Sequence, residues 1–171
     1  FHGRVIVRLS DAAVEDDRQP RVLARKGTQP PANLLEMRIL AVDFGEKRIG
    51  LATSDASATL ATPREVLRRQ NDEAAVEALE AFAGREEISL VVFGFPLSPD
   101  GAESAFAERI RSFAGKFTRR TGLPVRFHEE TLTSDEAARR LSRSEAREGL
   151  DAVAAAVLLE DYLQSAESDA R

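Results

Sequence analysis

The spacing of apolar residues changes along this chain. Arg38–Val42 (RILAV) is a short continuous apolar run of the kind that fills a central strand. Gly45 and the charged residues after it mark a turn, and Arg48–Thr53 (RIGLAT) reads as a second strand forming a hairpin with the first. A third short strand is expected near Thr59–Thr62, before Pro63. The period then lengthens: Ala75, Val76, Leu79, Phe82 and Ala83 fall at helical spacing, predicting a helix over Asp72–Phe82. Ile88–Phe93 (ISLVVF) reads as a strand ending at Gly94. Ala102–Arg120 reads as a long helix with the apolar stripe Phe106, Ile110, Phe113 and Phe117. Gly122 and Pro124 stop it, and basic residues occupy its last turn. Val125–His128 is another strand, and Thr133–Leu141 opens on a capping-box pattern, Thr133 followed by Glu136. Leu150–Leu163 closes the pattern as an alanine-rich helix. A hairpin followed by alternating helices and strands predicts an α/β layer fold around a mixed sheet.

Residues 1–36 carry no sustained period and include Pro20, Pro30 and Pro31. Met37, the single methionine, immediately precedes the first strand. The expectation is that 1–36 is an N-terminal extension, poorly ordered or upstream of a native start at Met37. A genuine N-terminal arm with a weak strand at Arg4–Leu9 is the alternative. Residues 37–167 would then form one domain and 168–171 a tail. At 171 residues the chain is long enough to bury a core without staples. Its lack of cysteine excludes a disulfide framework, a thiolate zinc site and a cysteine nucleophile. No apolar run approaches the ~20 residues that span a bilayer, and the first residues lack a secretory apolar segment. A cytoplasmic location without a membrane partner is therefore expected.

The net charge of −5 and a pI near 5.2 argue against coating nucleic acid by bulk charge. Six Lys/Arg and five Asp/Glu in 1–36 make that segment +1, leaving −6 for 37–171. A local basic patch and a bound metal remain compatible with such a balance.

Three carboxylates stand where a carboxylate is costly unless it works. Asp43 follows the apolar run RILAV, Glu130 follows VRFH, and Asp151 opens the apolar helix LDAVAAAVLL. Parallel strands with a helix across them would bring the three together. Their mutual repulsion would be relieved by a divalent cation. Oxygen-only ligands favour Mg²⁺ or Mn²⁺ over Zn²⁺. Each residue alone also has a plainer reading: Asp43 as a turn residue, Glu130 as a solvated loop residue, Asp151 as a cap or first-turn acid.

Gly45 allows a sharp turn beside Asp43 and a close backbone approach to phosphate. Lys47 and Arg48 are candidates to reach a nucleic-acid strand; otherwise they are a solvated hairpin. Arg139, Arg143 and Arg147 recur every four residues, with Arg140 beside them. On one helix they would form a guanidinium stripe matched to phosphates, or a solvated face paired with Glu136 and Glu148. Arg109, Lys116, Arg119 and Arg120 read as the exposed face of the long helix, and His128 as a strand residue rather than a ligand.

The segment MRILAVDFGEKRIGLATSD resembles the opening of the YqgF/RuvX family, RNase H-like proteins described as Holliday junction resolvases and as pre-16S rRNA nucleases. The resemblance continues through VVFGFPLSPDG, PVRFHEETLTSDEA and LDAVAAAVLLEDYL, in family order, over roughly residues 37–165. It implies an RNase H-like mixed five-stranded sheet flanked by helices, with an acidic metal site at the strand ends. Carried over by position, the first-strand aspartate is Asp43, the glutamate of the D-E-R-L-T-[ST] motif is Glu130, and the aspartate opening the last helix is Asp151. The motif's own aspartate is Glu129 here and its arginine is Thr131, so a guanidinium that could pair with phosphate is lost. The loop containing Gly94 and Pro96 is implied to be a substrate edge near the metal.

The resemblance therefore points to hydrolysis of nucleic-acid phosphodiesters with Asp43, Glu130 and Asp151 as catalytic metal ligands for one or two ions. Three carboxylates are few for two ions, so either Glu129 or Asp55 helps or water and substrate oxygens fill the shells. The expected role is 5′-end maturation of the 16S rRNA precursor in ribosome biogenesis, on structured RNA and in contact with ribosomal particles. The alternatives are a Holliday junction resolvase acting on branched DNA and a non-catalytic RNA-binding ribosome-assembly module. The phosphate loops of actin-like sugar kinases are a further likeness, but those folds need two such domains. A monomer or weak homodimer is expected, and junction resolution needs the dimer.

Overall fold

The computed structural model describes residues 37–96, 103–130 and 150–169. Residues 1–36 and the expected helix Thr133–Leu141 lie outside them. The described elements, in chain order, are β1 (Ile39–Phe44), β2 (Arg48–Ser54), β3 (Ala61–Arg68), α1 (Asp72–Arg85), β4 (Leu90–Pro96), α2 (Ala105–Thr121), β5 (Val125–Glu130) and α3 (Leu150–Asp169).

The strands form one sheet in the order β3-β2-β1-β4-β5. β1 pairs antiparallel with β2 and parallel with β4; β2–β3 is antiparallel and β4–β5 parallel. β1 thus lies at the centre, which explains its unbroken apolar run: a central strand is covered on both faces. Leu40, Val42 and Phe44 face the core shared with α1 and α2, whereas Ile39 and Ala41 face the core shared with α3. On the first side, the rings of Phe44 and Phe113 lie 4.8 Å apart and those of Phe93 and Phe113 6.2 Å apart. On the second side, alanines at 155 and 156 let α3 settle close to the sheet, with Leu158, Leu159 and Leu163 filling the space.

Helix ends follow local chemistry. Asn71 caps α1 by accepting the Ala74 N–H, and Ser104 caps α2 by accepting the Ala107 N–H. Gly122 ends α2 at φ 76°, in the left-handed region that favours glycine.

Two expectations are corrected here. The third strand begins at Ala61, not near Thr59, and runs through Pro63 to Arg68. An edge strand tolerates this proline because a missing N–H costs nothing on its unpaired side, and β3 is an edge. Asp43 and Glu130 lie inside their strands rather than after them, because β1 and β5 extend further than their apolar runs.

Candidate active site

The site is organised around a residue with no side chain. Gly50 in β2 is the cross-strand partner of Asp43 in β1. A Cβ placed on Gly50 would lie 1.9 Å from the carbonyl oxygen of Asp151 and 2.3 Å from its carbonyl carbon. Only glycine therefore lets the first turn of α3 rest on β2 at this point. Since directly opposed residues are about 5 Å apart, the same contact brings Asp151 to Asp43. Continuing the β1–β4 register one step beyond Val42–Phe93 puts Gly94 beside Asp43, and Gly94 is paired with His128 in β5. The row Gly50–Asp43–Gly94–His128 crosses the sheet on the α3 side, with two glycines leaving the floor open around the carboxylate.

Strand alternation decides which acidic residues share that face. Glu130 is paired with Pro96, two positions beyond the Gly94–His128 pair, so its position falls on the α3 face. Its side chain lies outside the described residues. Glu129 is exposed and occupies the intervening position, on the α1/α2 face, which excludes it as an additional donor beside Asp43. Asp55 is excluded as well. It follows Ser54, whose hydroxyl accepts the Ile39 N–H at 2.9 Å, at the opposite end of β1 from Asp43. There Asp55 closes a turn by accepting the N–H groups of Thr59 at 2.7 Å and Leu60 at 2.9 Å and the hydroxyls of Ser57 and Thr59. Burial pushes its carboxyl up, but the Ser57 hydroxyl, the two backbone N–H groups and the Thr59 hydroxyl together hold it well below the usual carboxylate range.

Asp151 is the informative carboxylate. Arg48 Nε lies 2.8 Å from its Oδ2, and both side chains are only 21% exposed. Oδ2 is buried and accepts no hydrogen bond of suitable geometry. The contact is therefore ionic: the guanidinium balances the charge without directing an N–H onto the oxygen. A buried carboxylate oxygen in this state is an available ligand for a hard cation. The donor set, carboxylates only, fits Mg²⁺ or Mn²⁺. Among the described residues, no group of three His, Cys, Asp or Glu residues gathers closely enough to hold a metal.

Arg48 is the cross-strand partner of Arg68 in β3. Two arginines directly opposed on one sheet face are unfavourable without an anion nearby. Sequence reasoning missed Arg68 and Gly50. Arg68 sits in the part of β3 lost by ending that strand at Pro63, and Gly50 looked like an ordinary strand glycine.

The hairpin tip beside the site is pinned. Gly45 N–H donates to the Arg48 carbonyl at 2.9 Å, and a Cβ on Gly45 would lie 2.6 Å from that oxygen. Arg69 N–H donates to the Lys47 carbonyl at 2.8 Å, and its Nη1 donates to the Glu46 carbonyl at 2.9 Å. The Arg69 guanidinium stacks 4.7 Å from the Phe44 ring centre and pairs with Asp72 at 2.6 Å. Lys116 reaches the same Asp72 at 2.9 Å, and Arg109 reaches Glu46 at 2.7 Å. The Lys116 and Arg69 hydrogen bonds hold the Asp72 carboxyl below its ordinary range. Lys47 itself is exposed at the tip.

Arg109, Lys116 and Arg120 thus serve as partners of surface carboxylates, Arg120 pairing with Glu80. Pro96 is half-buried at the end of β4. His128 lies within β5, its Nε2 2.7 Å from Asp161 and its ring edge-on to Tyr162. Arg139, Arg143 and Arg147 lie outside the described residues.

A central strand with an antiparallel hairpin on one side and two parallel strands on the other, carrying a carboxylate beside the N-terminus of a helix on one face, defines an RNase H-like protein. Thermus thermophilus RuvC, solved with a Holliday junction substrate, shares this fold at TM-score 0.51 and 16% identity, covering 75% of this chain and 94% of RuvC. The chain belongs to the RuvX family: the family model described as "RuvX: Holliday junction resolvase" matches residues 37–165. A protein of an Anaeromyxobacter species, named "Putative pre-16S rRNA nuclease", is 40% identical over 132 residues, covering 74% of this chain and 96% of the relative. An Anaplasma marginale protein of the same name is 37% identical over 136 residues, covering 77% of this chain and 87% of the relative. No helix among the described residues is long and apolar enough to cross a membrane.

Proposed function

We propose that this chain is a metal-dependent endonuclease that hydrolyses nucleic-acid phosphodiesters, acting on the 16S rRNA precursor to mature its 5′ end. The observation that carries the chemistry is the seating of Asp151 on Gly50 beside Asp43, with a buried carboxylate oxygen that accepts no hydrogen bond. The substrate assignment rests on the name shared by the relatives.

In this reading Asp43, Glu130 and Asp151 would hold Mg²⁺ or Mn²⁺, which would supply Lewis acidity for phosphodiester hydrolysis. The protein's own part is to hold those carboxylates in place before substrate arrives. β1 fixes Asp43 in the sheet floor, the Gly50 contact fixes Asp151 above it, and the pinned hairpin fixes the approach past Gly45. Gly94 and Pro96 form the opposite edge. Lys47 and Arg48, with Arg139, Arg143 and Arg147 in the segment outside the described residues, are assigned to substrate phosphates. Local cations of this kind let an acidic protein bind a polyanion.

The family description supports a second reading, resolution of four-way DNA junctions. Both are tested by incubating the purified chain with a 16S-precursor RNA and, separately, a four-way DNA junction, in Mg²⁺, Mn²⁺ or EDTA. Metal-dependent cleavage of the RNA at its mature 5′ end supports the first reading, and symmetrical junction cleavage the second. Binding without metal-dependent product in either case rejects an enzyme in favour of an RNA-binding module.

A further inference from the structure

The β1–β2 hairpin carries Lys47 at its tip, and the chain leaving β3 runs past that tip on its way to α1. One residue of this passage holds two consecutive carbonyls of the tip. Arg69 donates its backbone N–H to the Lys47 carbonyl at 2.8 Å and its Nη1 to the Glu46 carbonyl at 2.9 Å. We propose that Arg69 is a positioning residue for nucleic-acid binding: it fixes the two peptide planes at the hairpin tip and so presents the Lys47 ammonium to a backbone phosphate, without touching that phosphate itself. The inference rests on the nucleic-acid reading above and adds to it the residue through which Lys47 acts.

The Arg69 side chain is only 15% exposed, and its nitrogens are committed. Nε and Nη2 donate to Asp72 Oδ1 at 3.1 and 2.6 Å, while Nη1 serves the Glu46 carbonyl. The guanidinium lies 4.7 Å from the centre of the Phe44 ring, and Phe44 is buried against Phe106 and Phe113. The tip is thereby tied to the core shared with α1 and α2. Lys116 Nζ holds the second oxygen of Asp72 at 2.9 Å, which keeps that carboxylate turned toward Arg69. A planar fork engaged in this way holds the backbone of the tip rather than gripping a phosphate.

Lys47 has the opposite character. It is exposed, and its side chain makes no ion pair among the described residues. A lysine stem loses rotamer freedom when its ammonium settles on a phosphate. Holding the backbone from which the stem starts spares part of the ordering cost of binding, which is how preorganisation raises affinity.

The test reads binding, not turnover. A 16S-precursor RNA is bound in Ca²⁺ and followed by fluorescence anisotropy across a salt series, for the full chain, Lys47→Ala, Arg69→Lys and the double variant. Arg69→Lys keeps the charge, but an ammonium lacks the planar fork that serves Asp72 and the Glu46 carbonyl together. It should weaken binding about five-fold and lower the salt slope by about one phosphate contact, as Lys47→Ala does. In the double variant the loss should equal that of Lys47→Ala alone, because a lysine that is absent cannot be misplaced. Parental affinity and slope in Arg69→Lys overturn the proposal. Losses that add in the double variant also overturn it, since Arg69 would then act apart from Lys47, whether on phosphate or on the fold. If Arg69→Lys fails to fold, Asp72→Asn takes its place in the same cycle: it weakens the hold on the guanidinium and should give a smaller loss that again vanishes without Lys47. Parental affinity or an additive loss in that variant overturns the proposal equally. Failure of the nuclease reading has a different signature, RNA that is bound but not cleaved in Mg²⁺, whereas a parent chain that binds no RNA overturns both.

Discussion

Asp43 stands in β1 on the α3 face of the sheet, between two glycines of the neighbouring strands. Its strand partner is glycine, and the next strand continues with glycine in the same row. Asp43→Asn preserves size and polarity but removes the charge, so the expected outcome is an unchanged circular dichroism spectrum with loss of Mg²⁺-dependent cleavage by at least about 100-fold. Undiminished cleavage by a preparation free of contaminating nuclease would overturn the role of Asp43. Gly50 is equally specific for a different reason. Gly50→Ala would place a methyl group inside the Asp151 carbonyl, and because that neighbour is backbone, α3 itself must shift. Such overpacking costs about 2–3 kcal/mol, a fall of roughly 5–10 °C in melting temperature, with cation affinity lost in parallel. A variant that melts with the parent chain would show that α3 does not rest there. Asp43 stands out in the sequence as an acid following an apolar run. Gly50 does not, because its constraint comes from a helix one hundred residues away in the chain.

At the scale of elements, the hairpin, α1, α2 and α3 were readable from their periods, because each buries one face or stripe and the core selects apolar residues at that spacing. What was misread is the edge. β3 is polar and contains Pro63, so it carries little of the pattern that marks a buried strand; its existence depends on pairing with β2. The turn joining those strands yields a pH prediction. Ala58 there takes φ 53°, an unusual conformation for a residue other than glycine, held in place by the hydrogen bonds to Asp55. The folded Asp55 carboxyl is depressed relative to its unfolded value near 4, so its stabilisation is fully present above about pH 4 and is lost as pH falls through the folded value. Asp55→Ala should therefore be less stable than the parent by about 1 kcal/mol at pH 7, allowing for the solvent exposure of the turn. The gap should narrow steadily below about pH 4. Urea denaturation at pH 7 and at pH 2.5 checks this; a gap that stays constant removes the ionised carboxylate as its cause.

For the whole molecule, the charge balance constrains how a polyanion is held. With a net charge of −5, attraction cannot be spread over the surface. On α2, Arg109, Lys116 and Arg120 are engaged with Glu46, Asp72 and Glu80. Nucleic-acid binding in Ca²⁺ should accordingly show a limited salt dependence, with a log–log slope for RNA corresponding to about five phosphates, those assigned to Lys47, Arg48, Arg139, Arg143 and Arg147. A slope corresponding to about eight phosphates or more, measured by fluorescence anisotropy across a salt series, would instead indicate a broad basic face. Light scattering on the same sample bears on the junction reading, which requires two opposed sites in a dimer.

The sequence alone was enough for the fold class and for marking Asp43, Glu130 and Asp151 as candidates, because strand and helix periods and an acid beside an apolar run are local patterns. It was also enough for the family, whose motifs follow one another along residues 37–165. Only the tertiary structure decided which acids share a face and an end of the sheet. It removed Glu129 by strand alternation and Asp55 by placing it at the far end of β1. It also revealed Gly50 and Arg48 as neighbours of Asp151, and Arg68 as the strand partner of Arg48. These are relations between residues distant in the chain, set by register and by the closeness of helix to sheet, and no local period encodes them.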